Sequence, residues 1–123
     1  MSERGAVMVV DDDDDIRETI VLLLQGAGYE TLESHSGRDA LARLRAGREV
    51  AVILLDLRMP DMSGTDVVQE LKGDPRLARI PVVVMSGDNA ACAIATGLGA
   101  DACLVKPIEL TTLLATADRY AGA

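Results

Sequence analysis

E-V-A-V-I-L-L-D-L-R-M-P-D-M-S-G, residues Glu49 to Gly64, is the stretch that decides how the chain folds. Its apolar run, Val50 to Leu55, is unbroken, short and rich in β-branched side chains. Such a run suits a strand covered on both faces of a parallel sheet better than a surface helix. The run stops on a single carboxylate, Asp56. Met59-Pro60 then bars helix continuation, and Ser63-Gly64 marks where the next helix starts. In open α/β sheets, ligands and chemistry collect just beyond the carboxyl ends of the strands. Asp56 is therefore expected at the rim of a crevice with an apolar floor behind it.

The same strand-then-helix rhythm runs outward in both directions. Ala6 to Val10 reads as a buried strand, ended by five aspartates, Asp11 to Asp15. Helical spacing begins at Ile16, with Ile20, Leu23 and Leu24 on its apolar face and Arg17 and Glu18 opposite, and closes at Gly26-Ala27-Gly28. Tyr29 to Ser34 alternates as a half-exposed edge strand does. A second helix opens at Ser36-Gly37, buries Ala40, Leu41 and Leu44, and ends at Gly47. Beyond Gly64 a third helix spans Thr65 to Lys72 with Val67, Val68 and Leu71 inward, and Val82 to Met85 is a fourth strand that stops at Ser86-Gly87. A weak, Ala-rich helix covers Asp88 to Leu98, Ala102 to Val105 is a fifth strand ended by Lys106-Pro107, and a last helix spans Glu109 to Tyr120 with Leu110, Leu113, Leu114 and Ala117 inward. Five β-α units with short connections imply one domain, residues 1–123: a doubly wound parallel five-stranded sheet with helices on both faces.

Composition narrows the function classes. The chain has 123 residues, 49% hydrophobic but only 2% aromatic, with no Trp or Phe, so its core must be aliphatic and tightly packed. A net charge of −8 disfavours nucleic acid or an anionic membrane as partner. There is no run long enough for a membrane span and no secretory pattern at the start, so a cytoplasmic protein is expected. Cys92 and Cys103 lack metal-ligand spacing and the chain has one His, which argues against a zinc site or a disulfide scaffold; both cysteines are expected to be small core residues, with a redox pair linking the fourth helix to the fifth strand as the minor alternative.

Under this layout the strands deliver Asp11 and Asp12, Asp56, Ser86 and Lys106 to one edge. A flavodoxin-like order, 2-1-3-4-5, sets the first and third strands side by side and brings the three carboxylates together. Crowded carboxylates repel, and a divalent cation relieves that repulsion. An oxygen-only donor set with room for water suits Mg²⁺ or Mn²⁺ and offers nothing to Zn²⁺. Three carboxylates with a cation and a lysine fit phosphoryl transfer: a carboxylate can attack phosphorus to give an acyl phosphate, while fixed charges neutralise the equatorial oxygens. Asp56, alone at the middle strand, is the best nucleophile, with Lys106 as the fixed cation and the Ser86 hydroxyl as a donor. Asp11 and Asp12, a pair, suit metal ligation. The bland readings keep Asp13, Asp14 and Asp15 as a solvated helix start, Ser86 as an N-cap, and His35 as an exposed loop residue.

Four pieces in order, V-V-D-D at Val9 to Asp12, L-D-L-R-M-P-D-M-S-G at Leu55 to Gly64, M-S-G at Met85 to Gly87 and V-K-P at Val105 to Pro107, resemble the receiver domain of two-component response regulators over essentially the whole chain. The resemblance implies a stand-alone, chemotaxis-regulator-like phosphoprotein of a phosphorelay, whose Asp56 accepts the phosphoryl group of a histidine kinase or phosphotransfer protein. It implies Mg²⁺ bound by Asp12, with Asp11 assisting directly or through water, by Asp56 and by the backbone carbonyl of Arg58. It also implies that Lys106 pairs with the phosphoryl group next to a cis bond to Pro107. Ser86 then swings inward and remodels the face of the fourth helix, fifth strand and fifth helix, where a downstream protein docks. Such a chain is a monomer or weak dimer and no enzyme beyond catalysing its own phosphotransfer and slow dephosphorylation.

Two departures stand out. Cys103 occupies the position, three residues before the lysine, where receivers usually carry a switching aromatic, and Gly87 stands where Ala is common. Arg58 and Asp88 are also expected to pair across the site mouth. The rival reading is a haloacid-dehalogenase-like phosphohydrolase with an aspartyl-phosphate intermediate. Those enzymes put the nucleophile at the first strand with an acid two residues on, whereas Arg58 holds that place here.

Overall fold

The computed structural model describes residues 5–122. Five strands, β1 (Val7–Val10), β2 (Thr31–Ser34), β3 (Val52–Asp56), β4 (Val82–Ser86) and β5 (Ala102–Val105), alternate with five helices, α1 (Asp14–Gly26), α2 (Gly37–Arg45), α3 (Gly64–Gly73), α4 (Asn89–Gly97) and α5 (Leu110–Ala121). All strand pairs are parallel, in the order β2-β1-β3-β4-β5. The flavodoxin-like expectation holds.

Strand alternation divides the core in two. Met8, Val10, Ile53, Leu55, Val82 and Val84 face α2, α3 and α4 through Ala40, Leu41, Leu44, Val67, Val68, Leu71 and Ala95. Val7, Val9, Val52, Leu54, Val83 and Met85 face α1 and α5 through Ile20, Val21, Leu24, Leu113 and Ala117. β1, β3 and β4 are buried along their whole length, which is why their sequences read as continuous apolar runs.

Several details depart from expectation. The buried stripe of α1 is Ile20, Val21 and Leu24; the apolar arc centres on these three, which leaves Ile16 and Leu23 at its margin and exposed. Leu110 is exposed as well, at the first turn of α5. β2 begins only at Thr31; Tyr29 is instead a buried anchor whose hydroxyl donates to Asp118 on α5. The cysteines are not separate core thiols: Cys92 of α4 and Cys103 of β5 are joined in a disulfide. A sequence separation of 11 conceals a Cα–Cα approach of 5.7 Å that appears only once α4 packs on β5.

Gly64 sits where the chain turns from the Asp56 loop into α3. A Cβ there would lie 2.6 Å from the Leu57 Cα and 2.7 Å from the Asp56 carbonyl oxygen, both backbone. Because backbone cannot step aside cheaply, Gly64→Ala is expected to cost about 1–3 kcal/mol of stability. It is also expected to displace Asp56. A urea titration paired with phosphoryl uptake checks both effects; a stability within 0.5 kcal/mol of wild type, on the order of ordinary surface changes, contradicts the packing account.

Candidate functional site

The first strand and the aspartates after it build one wall. Asp13 caps α1, its carboxylate accepting the Asp15 and Ile16 N–H groups, so the chain turns sharply after Val10. That turn leaves Asp11 fully buried at the carboxyl end of β1 and Asp12 exposed at the rim. Asp11 Oδ1 accepts the Asp13 N–H at 3.0 Å. Asp11 Oδ2 is buried with no hydrogen-bond partner.

The central strand supplies Asp56, 4% exposed, with Oδ1 accepting the Arg58 N–H at 3.3 Å. From the far edge, Lys106 reaches across β4: its Nζ lies 3.2 Å from Asp56 Oδ1 and 3.7 Å from Asp11 Oδ2. The Lys106–Pro107 bond is cis, as the resemblance implied. Ser86 ends β4, and its hydroxyl accepts the Asp88 N–H at 3.0 Å. The cap of α4 is Asp88, whose carboxylate accepts the Ala90 N–H at 2.8 Å, so the N-cap reading of Ser86 does not hold. With its side chain turned to that cap, Asp88 makes no ion pair with Arg58, and the expected bridge across the site mouth is absent among the described residues.

Asp11, Asp12, Asp56, Arg58, Ser86 and Lys106 line one cleft of about 480 Å³. A larger hollow between α2 and α3 is lined by charges already paired with each other, Arg38 with Asp61 and Arg45 with Glu70. It offers no convergent chemistry.

The acids of the cleft are close enough to share one cation. One carboxylate oxygen from each of Asp11, Asp12 and Asp56 lies within 4.8 Å of the others. Burial above all, then the charges of Asp56 and Asp12, hold the Asp11 carboxyl above its ordinary value, although the Asp13 N–H and Lys106 pull it down. An orphaned buried carboxylate oxygen beside two further acids fits a hard divalent ion with oxygen ligands.

Arg17 was not foreseen here. The sequence reading sets it opposite the apolar face of α1, yet it stands three, four and seven residues before Ile20, Val21 and Leu24, on the buried stripe, and its side chain is only 11% exposed. Its guanidinium donates to the Asp11 carbonyl at 2.8 Å and bridges Asp14 and Glu33, clamping the β1–α1 turn onto β2. Only the i,i+3 spacing from Asp14 was visible in the sequence; the Glu33 contact needs the strand order.

Comparison with known proteins places these residues in context. A family profile described as "Response regulator receiver domain" matches residues 7–118. The two-component response regulator ORR7 of Oryza sativa subsp. japonica is 38% identical over 105 residues, 84% of this chain and 50% of that protein. The polar-differentiation response regulator DivK of Brucella anthropi is 34% identical over 122 residues, 95% of this chain and 96% of that protein. Among solved structures, chemotaxis response regulator CheY4 of Vibrio cholerae matches with a TM-score of 0.87 at 31% identity, covering 95% of this chain and 98% of that one. The chain thus spans about half the length of ORR7 and nearly all of DivK.

Proposed function

This chain belongs to the response regulator receiver domain family, and from that premise we propose that it is switched by a phosphoryl group carried on Asp56. The single observation that supports this most is the placement of Lys106 Nζ between Asp56 Oδ1 and the unpartnered Asp11 Oδ2. A lysine held there by two acids can follow negative charge as it moves from a carboxylate to a phosphoryl group attached to it.

In this reading an Asp56 oxygen attacks the phosphorus of a phosphohistidine on a histidine kinase or phosphotransfer protein. A P–O bond forms, the P–N bond breaks, and the imidazole nitrogen keeps the electron pair. Lys106 neutralises the phosphoryl oxygens, and the Ser86 hydroxyl leaves the Asp88 amide to donate to one of them. Asp11, Asp12, Asp56 and the Arg58 carbonyl would hold Mg²⁺, with Mn²⁺ as the alternative. When bound, such an ion offsets the charge that develops on the transferring group. Water later attacks the acyl phosphate and releases phosphate, which makes the chain a timed signal rather than a catalyst of metabolism. The coupled movement of the Ser86 loop reaches the face of α4, β5 and α5, where Ile94, Val105 and Leu110 stand exposed at 59%, 52% and 47%. That apolar patch suits a downstream protein partner. The proposal treats the chain as one receiver domain working in the cytoplasm as a monomer or weak dimer; among the described residues no helix is long and apolar enough to cross a membrane.

The test is the intact mass of the chain after incubation with acetyl phosphate, with and without Mg²⁺. One added phosphoryl group, dependent on the ion, is expected; no gain in mass under either condition would sink the proposal.

Arg17 gives a separate check on the metal half of the reading. Because it holds the turn that aims Asp11 and Asp12, Arg17→Ala is expected to weaken Mg²⁺ binding roughly tenfold, as loss of an outer contact to metal ligands does. Ion titration followed by calorimetry measures it, and an unchanged affinity means the turn is held without Arg17.

A further inference from the structure

We propose that Cys92 and Cys103 form a reversible dithiol–disulfide site that sets how firmly α4 is held to β5, and through it how readily the cleft rearranges; the second clause rests on the phosphoacceptor reading above.

Apart from the disulfide, α4 is seated mostly by small side chains, Ala91 and Ala95, with Leu98 at its end. Its sequence, N-A-A-C-A-I-A-T-G, contains no charged residue, and its buried residues are only Cys92 and Ala95. It ends at Gly97, and Leu98 and Gly99 carry the chain into β5. Two small buried side chains remove little apolar area compared with the Val67, Val68 and Leu71 that seat α3. The Cys92–Cys103 bond is the covalent tie between this helix and the sheet.

That tie lies directly behind the cleft. The Cys92 N–H donates to the Asp88 carbonyl at 3.1 Å, and the Asp88 N–H donates to the Ser86 hydroxyl at 3.0 Å. On the other strand, Cys103 is registered beside Val84, and the Lys106 N–H donates to the Ser86 carbonyl at 2.9 Å. Covalent bond, helix turn, Ser86 and β5 therefore close a ring. Even after the Ser86 hydroxyl leaves the Asp88 amide, the main chain from Ser86 to Asp88 keeps the ring closed, so with the disulfide intact a shift of this loop pulls on α4 and β5 together. With it open, the first turn of α4 can follow Ser86 alone.

The chemistry is ordinary thiol–disulfide exchange with a small-molecule disulfide such as oxidised glutathione. Cys103 is the more exposed of the two and takes the first step. Its thiolate attacks one sulfur of the glutathione disulfide and displaces a glutathione thiolate, which takes up the proton that Cys103 released. The Cys92 thiolate then attacks the Cys103 sulfur and displaces the second glutathione. One protein dithiol becomes one disulfide and one glutathione disulfide becomes two thiols; a dithiol reductant reverses the sequence.

The experiment compares the intact chain after oxidised glutathione with the same chain after dithiothreitol. Iodoacetamide labelling without denaturant is read by mass, and amide hydrogen exchange is read by segment. After glutathione disulfide, no label and no retained glutathione are expected; after dithiothreitol, two labels. Exchange of residues 90–98 is expected to be about tenfold or more faster in the reduced chain, with β1 and β3 unchanged, because local opening reports local anchoring. Phosphoryl uptake from acetyl phosphate should be several-fold faster when reduced, and a Cys92→Ser/Cys103→Ser chain should match the reduced rate in either buffer. Labelling after glutathione disulfide, a retained mixed disulfide, or equal α4 exchange in both states would overturn the site. Equal uptake rates would overturn its link to the cleft. If neither state takes up a phosphoryl group, the phosphoacceptor reading fails while labelling and exchange still decide the cysteine site.

Discussion

Asp56→Asn is expected to abolish phosphoryl uptake from acetyl phosphate while leaving a folded chain. The substitution keeps the side chain's shape in a site that is 4% exposed, and an amide oxygen can still accept the Arg58 N–H. It removes the negative charge and nucleophilic oxygen that attack at phosphorus. Asp11 and Asp12 are the neighbouring carboxylates, and Asp11 Oδ2, which accepts no hydrogen bond, lies 3.7 Å from Lys106. Yet Asp11 is fully buried at the end of β1, and Asp12, exposed at the rim, makes no ion pair with Lys106 among the described residues. A loss of roughly a thousandfold or more in rate is expected, the scale on which removal of a nucleophile acts. Mass measurement after acetyl phosphate and Mg²⁺ decides it. An Asp56→Asn chain that still gains a phosphoryl group transfers the nucleophile's role to another residue.

The cleft could be read from the sequence because each of its members follows an apolar run. Val7–Val10, Val52–Leu55 and Val82–Met85 are buried strands and Ala102–Val105 is a half-exposed edge strand; the pattern marks the end of each clearly, and the polar residue after each must emerge at the same edge of a parallel sheet. Strand order then follows from short connections and the doubly wound layout. What escaped the sequence depends on pairs of elements rather than on one. Arg17 is read as an exposed-face residue until β2 brings Glu33 beside it. Cys92 and Cys103 are two small residues until α4 lies on β5. Asp88 was assigned to Arg58 across the cleft, but the free N–H groups of α4 are closer and cost no long-range ordering. The exposure of Ile16 and Leu23 has the same origin: which arc of α1 meets the sheet is set by the packing partner, and it centres on Ile20, Val21 and Leu24.

Asp11→Asn should raise the stability of the metal-free chain at neutral pH and remove most of its response to Mg²⁺. The folded structure holds the Asp11 carboxyl above its ordinary value, chiefly by burial. A folded value above the unfolded one means that folding favours the protonated form. The associated stability is therefore present below the unfolded value and is lost as pH rises through the folded value. At neutral pH the ionised, partly unpartnered carboxylate opposes folding, and an amide of the same shape relieves that charge. An unpaired buried polar oxygen costs about 1–3 kcal/mol, and the gain on substitution should be of that order. The gain should shrink as pH falls through the raised folded value, where wild-type Asp11 takes up its proton; the difference between the two chains isolates this group from the other carboxylates. Mg²⁺ reverses the ranking. An ion bound to the folded state stabilises it by about 2.7 kcal/mol at a hundred times its dissociation constant, and that increment should be largely lost when one of the ligands is an amide. Thermal melts of both chains, with and without Mg²⁺ at pH 7 and pH 4, give all the comparisons. If Asp11→Asn is less stable than wild type without metal at pH 7, or responds to Mg²⁺ as wild type does, then the buried Oδ2 is not the strained ligand of a cation site.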